Sequence, residues 1–526
     1  MADLETRPSV AGRVARNGAA LFTARVAGAL AGTLALPVLY SRLGRQEFGV
    51  WVLLAGLVAL MGYVDMGLGS AQTREVARAV SLGETRTARA VLAIGVGWGA
   101  CLSALALAGF LLCWPAVASL FRLGPLAAEA HDAVLVLLLG FTVVCVAGPW
   151  RAVLEGLQRY STVAALDGGA AVLNAALSAM AVLAGGGLVA LAVVTSLTNT
   201  ARSVAIVGLA HRTAPSLRPS PADLCRQHVV AALHYCVPIQ VTNVAAAASN
   251  ETDRLVLGGF VGPAAVAGYE PGNKLANLLR MPAALITTAM FPAAATAAAT
   301  ADPARLNRLY LGMTRYLATY AALGAAFLVA CADPLVRLWL GHRVPLAATT
   351  LALMAPAYAV NVCTCAAQMV TRAEGRPGRE TRFALVTAGL NLVLTLPLLA
   401  LLGPWGVPLS SALALAGGGA YFFVHFHRDS GRPLRLLARA LTWPAVVGVA
   451  AGLAGWLTTP YLPGGPGRVG AATTLLCQGL LTVLVGIALL TAVGFFDATD
   501  RERLRAIVAV RRTPALVGPP MERSPR

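Results

Sequence analysis

Apolar runs long enough to cross a bilayer follow one another along this chain almost without interruption, separated only by short polar connections. A spanning helix takes about 20 predominantly apolar residues, and runs of that kind fit about fourteen times into the 526 residues. Only 12% of the residues are charged, against about 25% in a soluble domain. No stretch is left over for a sizeable soluble domain. In lipid the backbone must satisfy its own hydrogen bonds, and runs of this length do so as helices. The sequence therefore predicts an all-α polytopic membrane protein, with about fourteen spans running from 17–41 to 471–495.

The arginines test that count. One set of connections holds Arg74, Arg78, Arg86 and Arg89, then Arg151 and Arg159, then Arg212, Arg218 and Arg226. It continues through Arg305, Arg308 and Arg315, through Arg372, Arg376, Arg379 and Arg382, and through Arg428, Arg432, Arg435 and Arg439. The intervening set holds only Arg42, Arg45, Arg122, Arg337, Arg343 and Arg468. Basic residues concentrate in cytoplasmic loops, so this alternation predicts that both termini are cytoplasmic. A single missed span would scramble it. The formal net charge of +18 is explained the same way. The arginines lie where topology requires them, which argues against a nucleic-acid partner. The first apolar stretch, preceded by Arg7, Arg13 and Arg16, resembles a signal sequence, but it runs on to Leu39. That is long for a cleaved segment, and we read it as the first span.

The second half of the chain repeats the first. Leu43-Gly44, Phe48-Gly49 and Trp51 precede one apolar helix; Val261-Gly262, Val266-Ala267 and Tyr269 precede another, 218 positions later. Both motifs follow the first span of a six-span set, so the repeat is parallel. The domains expected are an N-terminal six-helix bundle over 1–210, a basic proline-rich cytoplasmic linker over 211–228 and a second six-helix bundle over 229–428. Two additional spans follow over 429–496, then a basic cytoplasmic tail over 497–526.

Charges inside the spans are the candidates for function, because an ionisable group at the bilayer centre costs about 2.5–3.5 kcal/mol on insertion scales and normally faces a cavity or a partner. Arg25 sits in the first span with no acid nearby in its helix. The seventh span carries Asn243, Asn250 and Arg254 at spacings that share a face, flanked by Glu251 and Asp253. The eighth carries Glu270, Asn273, Lys274, Asn277 and Arg280, and Lys274 is the only lysine in the chain. Glu270 and Lys274 are spaced to pair within the helix. Two readings of these groups stand open. In one, Glu251, Asp253 and Glu270 neutralise Arg254, Lys274 and Arg280 in a structural network. In the other, Arg25 adds uncompensated charge and the lumen is cationic, which suits an anionic ligand such as a diphosphate. The substrate-binding candidates are Arg25, Asn250, Arg254, Lys274, Asn277 and Arg280. Asp65, Asp253 and Glu270 are candidates for ion coupling, with Asp65 more simply a structural cap or a partner for Arg74. The glycines of Asp65-Met66-Gly67-Leu68-Gly69 suggest a helix end or close packing; Pro37, Pro238, Pro271, Pro282 and Pro292 fall within or near spans, where prolines often mark kinks or broken helices, and Pro271 lies inside the polar stretch.

Catalytic signatures are missing. There is no Walker loop, no HExxH and no Gly-x-Ser-x-Gly with triad partners. Cys363-Thr364-Cys365 lacks metal-ligand spacing, and the other cysteines give no framework. The sequence therefore predicts neither an enzyme nor a resident metal or cofactor.

The run Leu43-Gly44-x3-Phe48-Gly49-x-Trp51, followed by Asp65-x-Gly67-Leu68-Gly69 and Arg74, resembles the opening of the Wzx-type polysaccharide biosynthesis membrane proteins. Thr252-Asp253-Arg254-Leu255-Val256-Leu257-Gly258, followed by Gly262, Val266, Tyr269 and Lys274, resembles the seventh and eighth helices of the same family. These are flippases of the multidrug/oligosaccharidyl-lipid/polysaccharide exporter superfamily. The resemblance implies a MATE- or MurJ-like fold, with two six-helix bundles related by a pseudo-twofold axis around a central cavity, plus two C-terminal helices. It implies transport of undecaprenyl-diphosphate-linked oligosaccharide across the bacterial inner membrane by alternating access, coupled to H+ or Na+. It also implies work alongside a polysaccharide polymerase and glycosyltransferases. The alternatives in the same superfamily are a peptidoglycan-precursor flippase and a multidrug cation antiporter. A membrane glycosyltransferase or polymerase would need larger outer loops than these. Gly-Tyr-Glu-Pro-Gly-Asn-Lys at 268–274 departs from the plainer helix usual in the family.

Overall fold

Two glycines set the backbone of both halves. In the computed structural model, which describes residues 10–220, 222, 251–376, 378–461 and 467–495, Gly44 has φ 76° and ψ 176°. Gly262 has φ 120° and ψ 169°. Both lie at positive φ with an extended ψ, a region open essentially only to a residue without Cβ. The repeat read from the sequence is thus a repeat of one specific turn.

Gly44 breaks the helical run Val10–Leu82 into α1 (10–43) and α2 (45–82). Residues 32–39 and 48–59 then face one pocket, so the chain folds back on itself at the glycine. There follow α3 (Thr85–Leu120), α4 (Ala127–Gly156), α5 (Tyr160–Leu183) and α6 (Leu188–Thr213). The next helix, α7, is described only over 251–261 and ends in a widened π turn, Leu257–Val261. Then come α8 (Pro263–Ala299), α9 (Pro303–Ala330), a short helix at Ala332–Leu340, and α10 (Pro345–Ala373). The chain continues through α11 (Gly378–Leu402), α12 (Gly406–Asp429), α13 (Leu434–Leu457) and α14 (Gly467–Ala492). No strand occurs among the described residues.

Eleven stretches are long and apolar enough to cross a membrane. Two of them, Leu21–Gly62 and Gly378–Asp429, each hold two helices. The count is close to the fourteen expected, and most of the expected seventh span falls on 223–250, outside the described residues. The protein is a multi-pass membrane protein.

Some boundaries differ from expectation. The helix does not end at Gly67 or Gly69 but continues to Leu82, and nothing packs within 4 Å of where a Gly69 Cβ would stand. Gln72, Val76 and Ala79 are buried beyond the glycines, and their packing outweighs the roughly 1 kcal/mol that each interior glycine costs. Pro271 does not break α8 either. The break is a tight 3-10 turn at Leu278–Arg280. Pro282, two residues on, has no N–H to offer the carbonyl of residue 278, and its ring crowds that turn.

The packing shows how the halves meet. At the end bearing Gly44 and Gly262 the apolar cores are shared. One joins Leu53, Phe110 and Leu137 to Leu257, Val266 and Val407. Another joins Leu36, Tyr40 and Phe48 to Val336, Val344 and Leu351. At the arginine-rich end the cores are separate, one built from Val76, Leu92, Val153 and Ile206 and the other from Leu306, Tyr310, Val370 and Phe422. There a pocket of 490 Å³ lies between Gly18, Leu21 and Tyr160 on one side and Phe291, Met369 and Arg372 on the other. The two bundles form a V, closed at the glycine end.

The closure is tightest at Gly49, where an added Cβ would collide with the backbone oxygen of Pro263. Backbone cannot swing aside as a side chain can. Gly49→Ala is expected to spread the closed end. Spin labels on Arg42 and Arg343, which are exposed on the two halves there, should report a longer or broader distance distribution than in the parent. An unchanged distribution would show that the contact does not hold the closure.

Candidate functional site

The eighth helix delivers the polar groups because the turn at Gly262 points it back between the bundles and Pro263 opens it with a preset φ. Glu270 is buried, Asn273 and Lys274 are half-buried, and Asn277 and Arg280 are exposed. The expected pairing of Glu270 with Lys274 does not form. Arg254 takes the carboxylate instead, donating from Nε to Oε2 at 2.8 Å and from Nη2 to Oε1 at 3.0 Å. Its Nη1 donates to Glu251 Oε2 at 2.6 Å. A planar guanidinium matches two carboxylate oxygens at once, which a lysine point charge cannot. All three nitrogens of Arg254 donate to carboxylates.

Asp253 points elsewhere. Its Oδ2 accepts from Tyr269 Oη at 2.6 Å and from Ser411 Oγ at 2.5 Å, and its Oδ1 from Asn391 Nδ2 at 3.4 Å. Asn391 Nδ2 also donates to Ser411 Oγ at 2.7 Å, and Thr395 and Ser410 pair at 2.9 Å one turn away. Asp253 is 3% exposed and has no basic partner among the described residues. The sequence reading missed Asn391, Ser410 and Ser411. Their signal was polarity within the apolar spans α11 and α12.

Lys274 and Arg280 also lack a carboxylate among the described residues. Lys274 lines a 300 Å³ pocket with Gly32, Trp51, Gly56, Arg254 and Glu270, and its Nζ lies 3.5 Å from where a Gly32 Cβ would stand. Arg280 donates to Asn277 Oδ1 at 3.3 Å and lies 5.3 Å from the ring centre of Tyr358. Arg25 is exposed. Gly18 meets Thr288 and Gly32 meets Lys274. Positions 18, 25 and 32 follow one another at steps of about 20° around a helix, so Arg25 is on the face of α1 turned to α8, between those two contacts. The structure thus gathers Arg25, Lys274 and Arg280 along the cleft between the bundles. Of the three cations of the seventh and eighth spans, only Arg254 forms ion pairs with these acids, with Glu251 and Glu270. Asn243 and Asn250 lie outside the described residues, as does the side chain of Asp65.

This is a V of two bundles with a shared repeat turn and cations on the facing helices. A family model described as "Polysaccharide biosynthesis protein" matches residues 41–344, more than half of the chain. The chain belongs to the polysaccharide biosynthesis protein family. No curated protein matches the sequence.

Solved structures share the fold of this polysaccharide biosynthesis protein. The lipid II flippase MurJ in an inward closed conformation superposes with a TM-score of 0.70 at 12% identity, covering 90% of this chain and 98% of its own. An inward-facing MATE family multidrug resistance transporter of the MOP superfamily gives 0.63 at 17%, covering 77% and 94%. A mutant of the Vibrio cholerae MATE transporter VcmN gives 0.55 at 16%, covering 80% and 98%. At these identities the likeness is one of fold. The segment that the family model matches includes both glycine turns, the Arg254–Glu251–Glu270 cluster, Lys274 and Arg280.

Proposed function

We propose that this protein is a flippase for undecaprenyl-diphosphate-linked oligosaccharide in the bacterial inner membrane. The observation that carries this reading is the set of three cations, Arg25, Lys274 and Arg280, on helices that face one cleft and without a carboxylate partner among the described residues. Phosphate oxygens are the natural partner for such groups. The undecaprenyl chain stays in the bilayer while the head enters the cleft. With the arginine-rich end in the cytoplasm, the V opens inward and would receive substrate on the side where it is made. The two bundles then exchange the closed end for the open one. Asp253, buried among three donors and no base, is the site through which a H+ or Na+ gradient would act. Glu270 is committed to Arg254 and is the weaker candidate. A polysaccharide polymerase and glycosyltransferases are the partners this role calls for.

The test is reconstitution into vesicles with a diphosphate-linked lipid oligosaccharide labelled on one leaflet. Transfer is expected, accelerated by an imposed H+ or Na+ gradient, with the acceleration lost in Asp253→Asn. No transfer, together with drug-dependent proton flux in the same vesicles, would move the protein to the multidrug antiporters.

A further inference from the structure

Behind Arg280, inside the second bundle, lies a polar cavity of 190 Å³ that α7, α8, α10, α11 and α12 enclose. We infer that this cavity is the binding site for the first sugar of the glycan, the ring joined directly to the diphosphate. The inference rests on the flippase reading above and adds to it a site of sugar recognition.

Its lining holds hydrogen-bonding capacity that the protein does not use. Asn361 is 8% exposed, and neither atom of its side-chain amide has a partner among the described residues. Asn273 accepts from Tyr358 Oη at 2.8 Å through Oδ1, which leaves its Nδ2 free to donate. More than nine in ten buried polar groups find a partner, because an unpaired one is costly to bury. Asn361 and Asn273, two amides with spare capacity around one cavity, therefore point to an occupant.

The mixture of donors and acceptors says what kind. Asp253, the ion-coupling candidate, lies in the same wall, but a cation there would leave the free donors of Asn361 and Asn273 unmet, and an anion would use only donors. Hydroxyl groups donate and accept alike, as Asn361 does, while Asn273 offers a further donor. Tyr358 closes one wall with its ring, the surface on which the C–H face of a pyranose rests. The volume is that of about six waters at ~30 Å³ each. One sugar ring fills it and a second does not fit, so the rest of the glycan extends into the cleft. Arg280 sits where the cavity meets the cleft, against Tyr358. A diphosphate held there has its attached sugar within one bond of the opening.

The binding step alone tests this. Purified full-length protein is titrated with a bare polyprenyl diphosphate, and with the same lipid carrying a single glucose, galactose, N-acetylglucosamine or N-acetylgalactosamine. At least one sugar is expected to tighten binding about tenfold over the bare lipid, as two net hydrogen bonds would. Asn361→Leu should abolish that gain and leave the affinity for bare lipid unchanged, which also shows that the variant is folded. Asn273→Leu should reduce the gain in the same way. The inference is overturned if the bare lipid binds and no sugar improves on it, or if the gain survives in Asn361→Leu. If none of these lipids binds, the flippase reading fails and the assignment of the cavity fails with it.

Discussion

Arg254→Met is expected to destabilise the protein by about 3–5 kcal/mol, the range for removing one partner of a buried ion pair. The reason is what the substitution leaves behind. Glu251 and Glu270 are 5% and 9% exposed, and both give their carboxylates to this one guanidinium. Without it two like charges face each other in a largely apolar surrounding. Thermal unfolding in detergent should show a large drop in midpoint together with poor recovery of folded protein. The triple variant Arg254→Met, Glu251→Gln, Glu270→Gln should recover most of the loss, since neutral amides carry no repulsion. A single Arg254→Met variant that melts like the parent would show that the cluster does not hold the site together.

Lys274→Met should do the reverse. Lys274 has no hydrogen bond or ion pair among the described residues, and it sits in a pocket lined largely by Leu36, Trp51 and other apolar groups. Removing a half-buried charge with no partner relieves a desolvation cost, so the melting temperature should stay level or rise. Transport should fall about ten- to a hundredfold, because a hydrogen bond to a charged group contributes about 1.5–3 kcal/mol. Loss of function with a gain in stability is the mark of a group kept for its ligand. Initial rates of leaflet transfer, measured beside the melting curves, decide the matter. A wild-type rate in Lys274→Met would remove this lysine from the substrate path.

The contrast between these two residues shows how far the sequence could be read. The spans were legible because hydropathy is a local signal. The repeat was legible because Gly44 and Gly262 must be glycine for the turn they make. The division of labour among the charges was not. Glu270 lies four residues from Lys274 and sixteen from Arg254, and nearness in sequence favours the wrong partner. The bidentate fit across two helices decided otherwise. Asp253 finds its partners 138 and 158 residues away, a distance that no spacing rule spans. The prolines marked α8 as open to a break but not which of them would act: Pro282 acts on the turn before it, and Pro271 is accommodated.

The 218-residue offset between the glycine turns also says something about ancestry. Carried through the chain, it sets Glu251 against Thr33, Arg254 against Leu36, Glu270 against Val52, Lys274 against Gly56 and Arg280 against Gly62. A duplicated ancestor would have brought two equal copies to the axis. At these five positions the second copy carries the charges and the first carries none. Gly56 faces Glu251, and Gly32 faces Lys274. The second half has become the instrument and the first half its sheath. Restoring bulk to the sheath at Gly32 or Gly56 would therefore disturb charges that the altered half does not itself carry.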